Sequence, residues 1–116
     1  MTVPERMRAV KRYLDTHYNQ PFTLEVLARV GRLSVSHLAS EFRTHFGCAP
    51  IEYRTRLRMQ HACRFLRDTS LRVSEVASLV GYADVYFFSR HFKSHHGVSP
   101  REFRRQASPI SGNARH

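Results

Sequence analysis

The side chains of this sequence with the clearest chemistry are its arginines. Arg accounts for 17 of the 19 basic residues, and with 9 acidic residues the formal net charge is +10. A guanidinium group is planar and donates parallel hydrogen bonds, a geometry that suits phosphate oxygens and guanine edges. The composition therefore favours a nucleic acid as partner. The alternative is that the arginines reflect a GC-rich genome and solvated helix faces.

The residue spacing does not favour a metal site or a catalytic nucleophile. His91 and His95 are four residues apart, which would place both on one helix face, but no acidic residue or cysteine has a matching spacing. Cys48 and Cys63 form no C-x-x-C motif, which is typical of free thiols in a reducing compartment. The sequence contains no glycine-rich phosphate loop and no nucleophile with an evident base. We expect no enzyme, no metal and no other cofactor.

The C-terminal half of the chain repeats the residue pattern of the N-terminal half. Residues 23–54 align with residues 72–104, at an offset of 49 before a central turn and of 50 after it. The aligned pairs are Leu24/Val73, Leu27/Val76, Ala28/Ala77, Leu38/Phe88, Phe42/Phe92, Arg43/Lys93, Gly47/Gly97, Pro50/Pro100, Glu52/Glu102, Tyr53/Phe103 and Arg54/Arg104. Ala77 and Gly81 supply the small crossing residue and the turn glycine that a helix-turn-helix needs. In the first copy Gly31 comes one residue early, which predicts two turns of different shape.

Capping and breaking residues divide the chain into seven predicted helices. No segment alternates with a period of two, so we predict no strand and an all-α fold. With their caps, the helices are predicted at about 4–18, 23–31, 34–47, 50–68, 73–81 and 84–97, and from 99 through Phe103. Pro4 is expected at the first helical position, Gly31 is expected to end the second helix, and Ser99 with Glu102 to form a capping box.

Helical geometry also predicts which side chains face outward. With Leu38 and Phe42 in the core, a rotation of about 100° per residue turns Ser36, Ser40 and Arg43 to the opposite face, with His37 and Thr44 on its shoulder. The second copy then presents Tyr86, Arg90 and Lys93, with Phe87 and Ser94 on the shoulder and Val85 and Ser89 nearer the core edge. These residues are candidates for base and phosphate contacts. The alternative is that they are solvated helix surface.

Three stretches of the sequence resemble one family. They are YLDTHYNQPFTLEVLA, LSVSHLASEFRTHFGCAPIEYRTRLRMQHACRFL and VSEVASLVGYADVYFFSRHFKSHHGVSPREFR, and together they cover about Met7 to Arg105. The pattern from Ala77 to Pro100 is long and strictly spaced. In these features the chain resembles the DNA-binding domain of the AraC/XylS transcription regulators. The resemblance implies two helix-turn-helix subdomains, at about 24–46 and 73–96, joined by a connector helix at about 50–68, with recognition helices that enter successive major grooves.

The resemblance also implies the positions of the DNA contacts. In the first recognition helix these are Ser36, Ala39, Ser40 and Arg43, and in the second Val85, Tyr86, Ser89, Arg90 and Lys93. His37 and Thr44, on the shoulder of the first helix, complete the predicted DNA-binding set. Arg54, Arg56, Arg58 and Arg104 are candidates for phosphate contacts. Ser40 and Tyr86 depart from the family pattern, so the target sequence cannot be copied from that of a relative.

The expected partner is double-stranded DNA, bound by residues 1–106 as a monomer, with residues 107–116 as a disordered tail. The resemblance implies activation through contact with RNA polymerase, although no residue distinguishes activation from repression. No membrane segment or signal peptide is evident, and we expect a cytoplasmic protein. It is either a stand-alone regulator like MarA, SoxS and Rob or the C-terminal part of a larger one. The rival functions are a non-specific, nucleoid-type DNA-binding protein and a DNA-repair protein, which would need a reactive cysteine.

Overall fold

The computed structural model describes residues 1–107, and the predicted tail from residue 108 onward lies outside the described residues. Over this range the chain forms seven α-helices and no strand, which confirms the predicted fold class. The helices are α1 (Val3–His17), α2 (Leu24–Gly31), α3 (Val35–Phe46), α4 (Pro50–Asp68), α5 (Val73–Leu79), α6 (Val85–His96) and α7 (Pro100–Ala107). None of these helices is both long enough and apolar enough to cross a membrane. Helix α7 includes Ala107, the first residue of the predicted tail.

The chain divides into two compact units. The N-terminal unit comprises Met1–Leu57, and the C-terminal unit begins at Arg58, so α4 contributes its first two turns to the one and the rest to the other. Side chains from three helices form the core of the N-terminal unit: Met7, Val10, Leu14, Leu27, Ala28, Leu38 and Phe42. Among the described residues of the C-terminal unit, the buried apolar side chains are Met59, Ala62, Leu66, Val76, Ala77, Val80, Phe88, Phe92 and Pro100. The helix faces predicted to point inward are therefore the buried ones.

Local capping sets the helix ends. Thr2 and Glu5 form a capping box at the start of α1, so the helix begins at Val3 and Pro4 is its second residue, one position later than predicted. Thr23, Ser34 and Asp84 accept backbone hydrogen bonds at the starts of α2, α3 and α6, as their residue types predict.

The turn of each helix-turn-helix motif is closed by an equivalent backbone hydrogen bond. Leu33 N donates to Ala28 O in the first and Tyr82 N to Ala77 O in the second, both at 2.9 Å. The residue before each donor has a positive φ, 57° at Arg32 and 102° at Gly81. The expected difference between the turns therefore lies after this bond, where the second has one more residue before its helix cap.

Gly31 ends α2 as predicted, but without the left-handed conformation typical of a helix-ending glycine. It is the last residue of α2, and the left-handed position after it belongs to Arg32. A Cβ atom at Gly31 would lie 2.9 Å from Cγ2 of Val10, closer than real Cβ atoms come. The glycine thus permits the close approach of α1 and α2 rather than a positive φ.

Each unit also contains a polar contact between α4 and a helix distant in sequence. In the N-terminal unit the Tyr53 hydroxyl donates to Asp15 at 2.9 Å, and Lys11 pairs with the same carboxylate at 2.9 Å. In the C-terminal unit Arg104 Nε donates to Leu66 O at 2.9 Å, and a terminal nitrogen of Arg104 donates to Thr69 O at 3.3 Å. These contacts fix the two ends of α4, each within its own unit.

Candidate nucleic-acid interface

Helix α3 carries the first candidate DNA-binding face. Ser34 accepts a hydrogen bond from His37 N at 3.1 Å, and Gly47 ends the helix with a φ of 77°. Because Leu38 and Phe42 are fully buried, the opposite side of the helix faces solvent. All six predicted contact residues of this helix are exposed: Ser36, His37, Ala39, Ser40, Arg43 and Thr44.

Two of these side chains already have intramolecular partners. The Thr44 hydroxyl donates to Ser40 O at 3.0 Å. His37 Nε2 lies 3.3 Å from the carboxylate of Glu41, which also lies 3.5 Å from Nε2 of His45. Sequence reasoning missed Glu41, although its spacing of four residues from each histidine is a helix-pair signal. The Glu41 carboxylate, beside this candidate face, would repel a nearby phosphate unless cations offset its charge.

Helix α6 carries the second candidate face. The Asp84 carboxylate accepts from Tyr86 N at 2.7 Å, and Gly97 ends the helix with a φ of 81°. Tyr86, Arg90 and Lys93 are exposed, whereas Val85 and Ser89 are half-buried. This is the arrangement that the periodicity predicts.

An aromatic cluster lies beside Arg90 on the same helix. The Arg90 guanidinium carbon lies 5.2 Å from the centroid of the Phe87 ring, and the His91 ring lies 5.8 Å from the same ring. The Tyr82 hydroxyl lies 2.9 Å from Nδ1 of His91. Sequence analysis placed Phe87 on the shoulder of the face but did not predict this cluster. The three- and four-residue steps from Phe87 to Arg90 and His91 were the available signal.

The four candidate phosphate-binding arginines all make contacts within the protein. Arg54 lies over the Phe22 ring at 4.8 Å, and Arg56 pairs with Glu52 at 3.0 Å. Arg58 is only 8% exposed, with its guanidinium 5.4 Å from the Tyr82 ring centroid, and Arg104 caps the end of α4. Arg58 and Arg104 therefore have structural roles that their positions in sequence did not reveal. Arg54 and Arg56 retain more exposed surface.

The two cysteines differ in exposure, and the surroundings of Cys63 do not favour a thiolate. Cys48 is 1% exposed, and burial raises the pKa of the Cys63 thiol, whose sulfur lies 3.4 Å from Nε2 of His96. A reactive cysteine must be accessible and needs a lowered pKa, so neither the buried Cys48 nor Cys63 favours the DNA-repair alternative. Within residues 1–107, no three His, Cys, Asp or Glu side chains are placed to hold a metal ion together.

The chain is similar to known proteins in both sequence and structure. Residues 27–106 match the family described as "Helix-turn-helix domain". The chain is 35% identical over 68 residues to a lactose operon transcription activator of Staphylococcus xylosus, an alignment that covers 59% of this chain and 24% of that protein. The chain spans about a quarter of the length of the curated relatives it matches, 24% and 22%.

Solved structures show the same architecture. The C-terminal domain of AraT, a response regulator from Geobacillus stearothermophilus, superposes with a TM-score of 0.86 at 31% identity, covering 93% of this chain and 90% of that one. The DNA-binding domain of AdpA, a global transcriptional factor crystallised with a target DNA, superposes with a TM-score of 0.85 at 24% identity, covering 96% of this chain and 98% of that one. The AdpA likeness concerns the fold.

Proposed function

The chain belongs to the AraC family of helix-turn-helix transcription regulators, and from this premise we propose that it binds duplex DNA sequence-specifically through the outward faces of α3 and α6. One observation carries the proposal. Two separately capped helices in duplicated motifs each bury two large apolar side chains and expose polar and basic ones on the opposite face. Because the motifs lie on one chain, we propose that a monomer reads two successive major grooves of an asymmetric site.

The two faces are suited to different readout. Arg90 is long enough to donate two hydrogen bonds to O6 and N7 of a guanine, and Lys93 is suited to a phosphate. The face of α3 offers Ser36, Ala39 and Ser40, side chains too short for a bidentate grip on a base edge. We therefore expect the half-site under α6 to be the better defined. Arg43 and the contacts of α3 with the DNA backbone would read the other half mainly through its shape.

We also propose that the protein activates transcription through contact with RNA polymerase. The support is the 35% identity to the Staphylococcus xylosus activator over 68 residues of this chain. In vitro transcription from a promoter that carries the selected site would test it. Transcription that rises with added protein is expected, and a fall would indicate a repressor.

Selection from a random duplex library, followed by competition with random-sequence DNA, tests specific binding. We expect a selected duplex to bind about 10³-fold more tightly than random DNA, as specific regulators do. The net charge of +10 would by itself support a non-specific, nucleoid-type protein. That alternative predicts equal affinity for selected and random DNA.

A footprint on the selected site tests the stoichiometry. The expected result is one chain protecting two segments about 34 Å apart on an asymmetric sequence. Symmetric sites occupied by two chains, with one half-site each, would contradict the monomer proposal.

A further inference from the structure

Phe87 is an exposed aromatic residue on the DNA-facing side of α6. Its side chain is 53% exposed, and that of the neighbouring Tyr86 is 78% exposed. Leaving a phenyl ring exposed to water costs free energy, and the core does not need Phe87, because Phe88 and Phe92 already fill the inward side of the helix. The ring is therefore available to an external partner.

The surroundings of Phe87 hold its ring in place. The guanidinium of Arg90, one turn along the helix, lies 5.2 Å from the ring centroid, within the range of a cation–π contact. The ring centroid of His91 lies 5.8 Å from that of Phe87, and the Tyr82 hydroxyl lies 2.9 Å from Nδ1 of His91. Phe87 thus contacts both His91 and the arginine proposed to read guanine.

We propose that Phe87 is a specificity-determining residue, whose ring contacts the C5-methyl group of a thymine and holds Arg90 in position for the adjacent guanine. This inference rests on the proposed function of α6. The thymine methyl group is the apolar feature of the major-groove edge, and cytosine lacks it. A ring without hydrogen-bonding groups can therefore distinguish these two pyrimidines. Restraining Arg90 before binding also reduces the side-chain entropy that it loses on the base.

Replacing the thymine by deoxyuridine tests the methyl contact, because it removes that one group and leaves the base pair intact. The site is the selected duplex, at the thymine beside the guanine whose preference Arg90→Ala relaxes. The parent protein should lose about fourfold in affinity, as expected for one buried methyl group. Phe87→Ala should bind the thymine and deoxyuridine duplexes equally.

Phe87→Leu separates the two roles assigned to the ring. Leucine retains an apolar surface for the methyl group but has no π face for the guanidinium. This variant should keep its sensitivity to deoxyuridine while its preference for guanine over adenine at the neighbouring position falls severalfold. Ile51→Ala is the matched control, since it removes an apolar side chain that is 58% exposed on α4. It should change neither preference.

The possible outcomes distinguish the inference from the function on which it rests. Equal sensitivity to deoxyuridine in the parent and in Phe87→Ala would overturn the inference and leave specific binding intact. Loss of activation by Phe87→Ala with unchanged DNA affinity would also overturn it, because Phe87 would then contact a protein. Equal affinity of the parent for selected and random duplexes would overturn the proposed function, and the inference with it. Circular dichroism melting checks that each variant is folded.

Discussion

The two helix-turn-helix motifs close their turns with equivalent hydrogen bonds, but their glycines lie at different positions of the turn. In the second motif Gly81 itself adopts the positive φ of 102°. In the first, Arg32 adopts the left-handed conformation, and the glycine one residue earlier allows α1 and α2 to approach. A glycine beside a turn can therefore be required by packing as well as by φ. The apparent one-residue shift between the copies has this physical origin.

The outward faces of the two motifs also differ. Helix α3 presents mostly short side chains, with His37 and His45 beside Glu41. Helix α6 presents Tyr86 and the restrained pair of Phe87 and Arg90. Although the backbones are duplicated, the side chains have diverged in reach, and this divergence is the basis for expecting unequal half-sites.

The largest effects should come from the feature that the motifs share, their buried phenylalanines. Phe42→Ala and Phe92→Ala should each lower the free energy of unfolding by about 3 to 5 kcal/mol, because a fully buried ring leaves a cavity. Denaturant titration followed by circular dichroism measures the loss. Phe87→Ala, on the same helix as Phe92 but exposed, is the control and should change stability by about 0.5 kcal/mol or less. If Phe92→Ala melted like the parent, the assignment of inward and outward faces would be wrong.

The reading faces should differ in their response to truncation. Arg90→Ala should cost about 1 to 3 kcal/mol in specific binding and relax the preference at one or two base pairs, because a bidentate contact is lost. Ser40→Ala on α3 should leave the selected motif nearly unchanged. Repeating the selection with each variant measures both effects. A motif that Arg90→Ala leaves intact, with its information under Ser40, would reverse the proposed asymmetry.

Lys93→Ala provides a matched control on the same face of α6. A lysine on a phosphate contributes equally to all sequences, so its loss should weaken specific and random DNA alike. The slope of log affinity against log salt should flatten by about one charge. Base-specific effects of Lys93→Ala would instead place this side chain on a base edge.

The different roles of the two glycines can be tested by one substitution at each. Gly31→Ala and Gly81→Ala should each cost about 1 to 3 kcal/mol, the first through overpacking and the second through backbone strain. In a Val10→Ala background, which removes the Cγ2 atom that meets the new methyl group, Gly31→Ala should cost clearly less. The cost of Gly81→Ala should stay the same in that background. Equal costs of Gly31→Ala in both backgrounds would contradict the packing explanation.

The smallest effect concerns the strained residue of the first turn. Arg32→Gly should be more stable than Arg32→Ala by about 0.5 to 1 kcal/mol, because relief of the left-handed strain exceeds the entropy that glycine adds to the unfolded chain. The alanine variant controls for the lost guanidinium, and chemical denaturation measures the difference. Equal stability of the two variants would indicate that the positive φ at position 32 carries no free-energy cost for a residue with a side chain.

Sequence reasoning succeeded where the signal was local. Ser34 and Asp84 as caps, Gly47 and Gly97 as helix ends, and the buried faces of α3 and α6 all follow from residue type and helical period. It failed where a contact joins distant residues. The clash that Gly31 avoids involves Val10, and the hydrogen bonds of Arg104 reach back to Leu66 and Thr69. A single sequence does not show which residues that are distant along the chain are in contact in the fold.

The polar contacts of α4 have a consequence for the order of events during synthesis. Tyr53 joins α4 to the N-terminal unit through Asp15, whereas the corresponding contact of the C-terminal unit forms only after Arg104 has been synthesised and can reach Leu66. A chain emerging from the ribosome can therefore assemble its first motif while the second is still being made. The helix shared by both units is then anchored at its beginning before its far end has a partner.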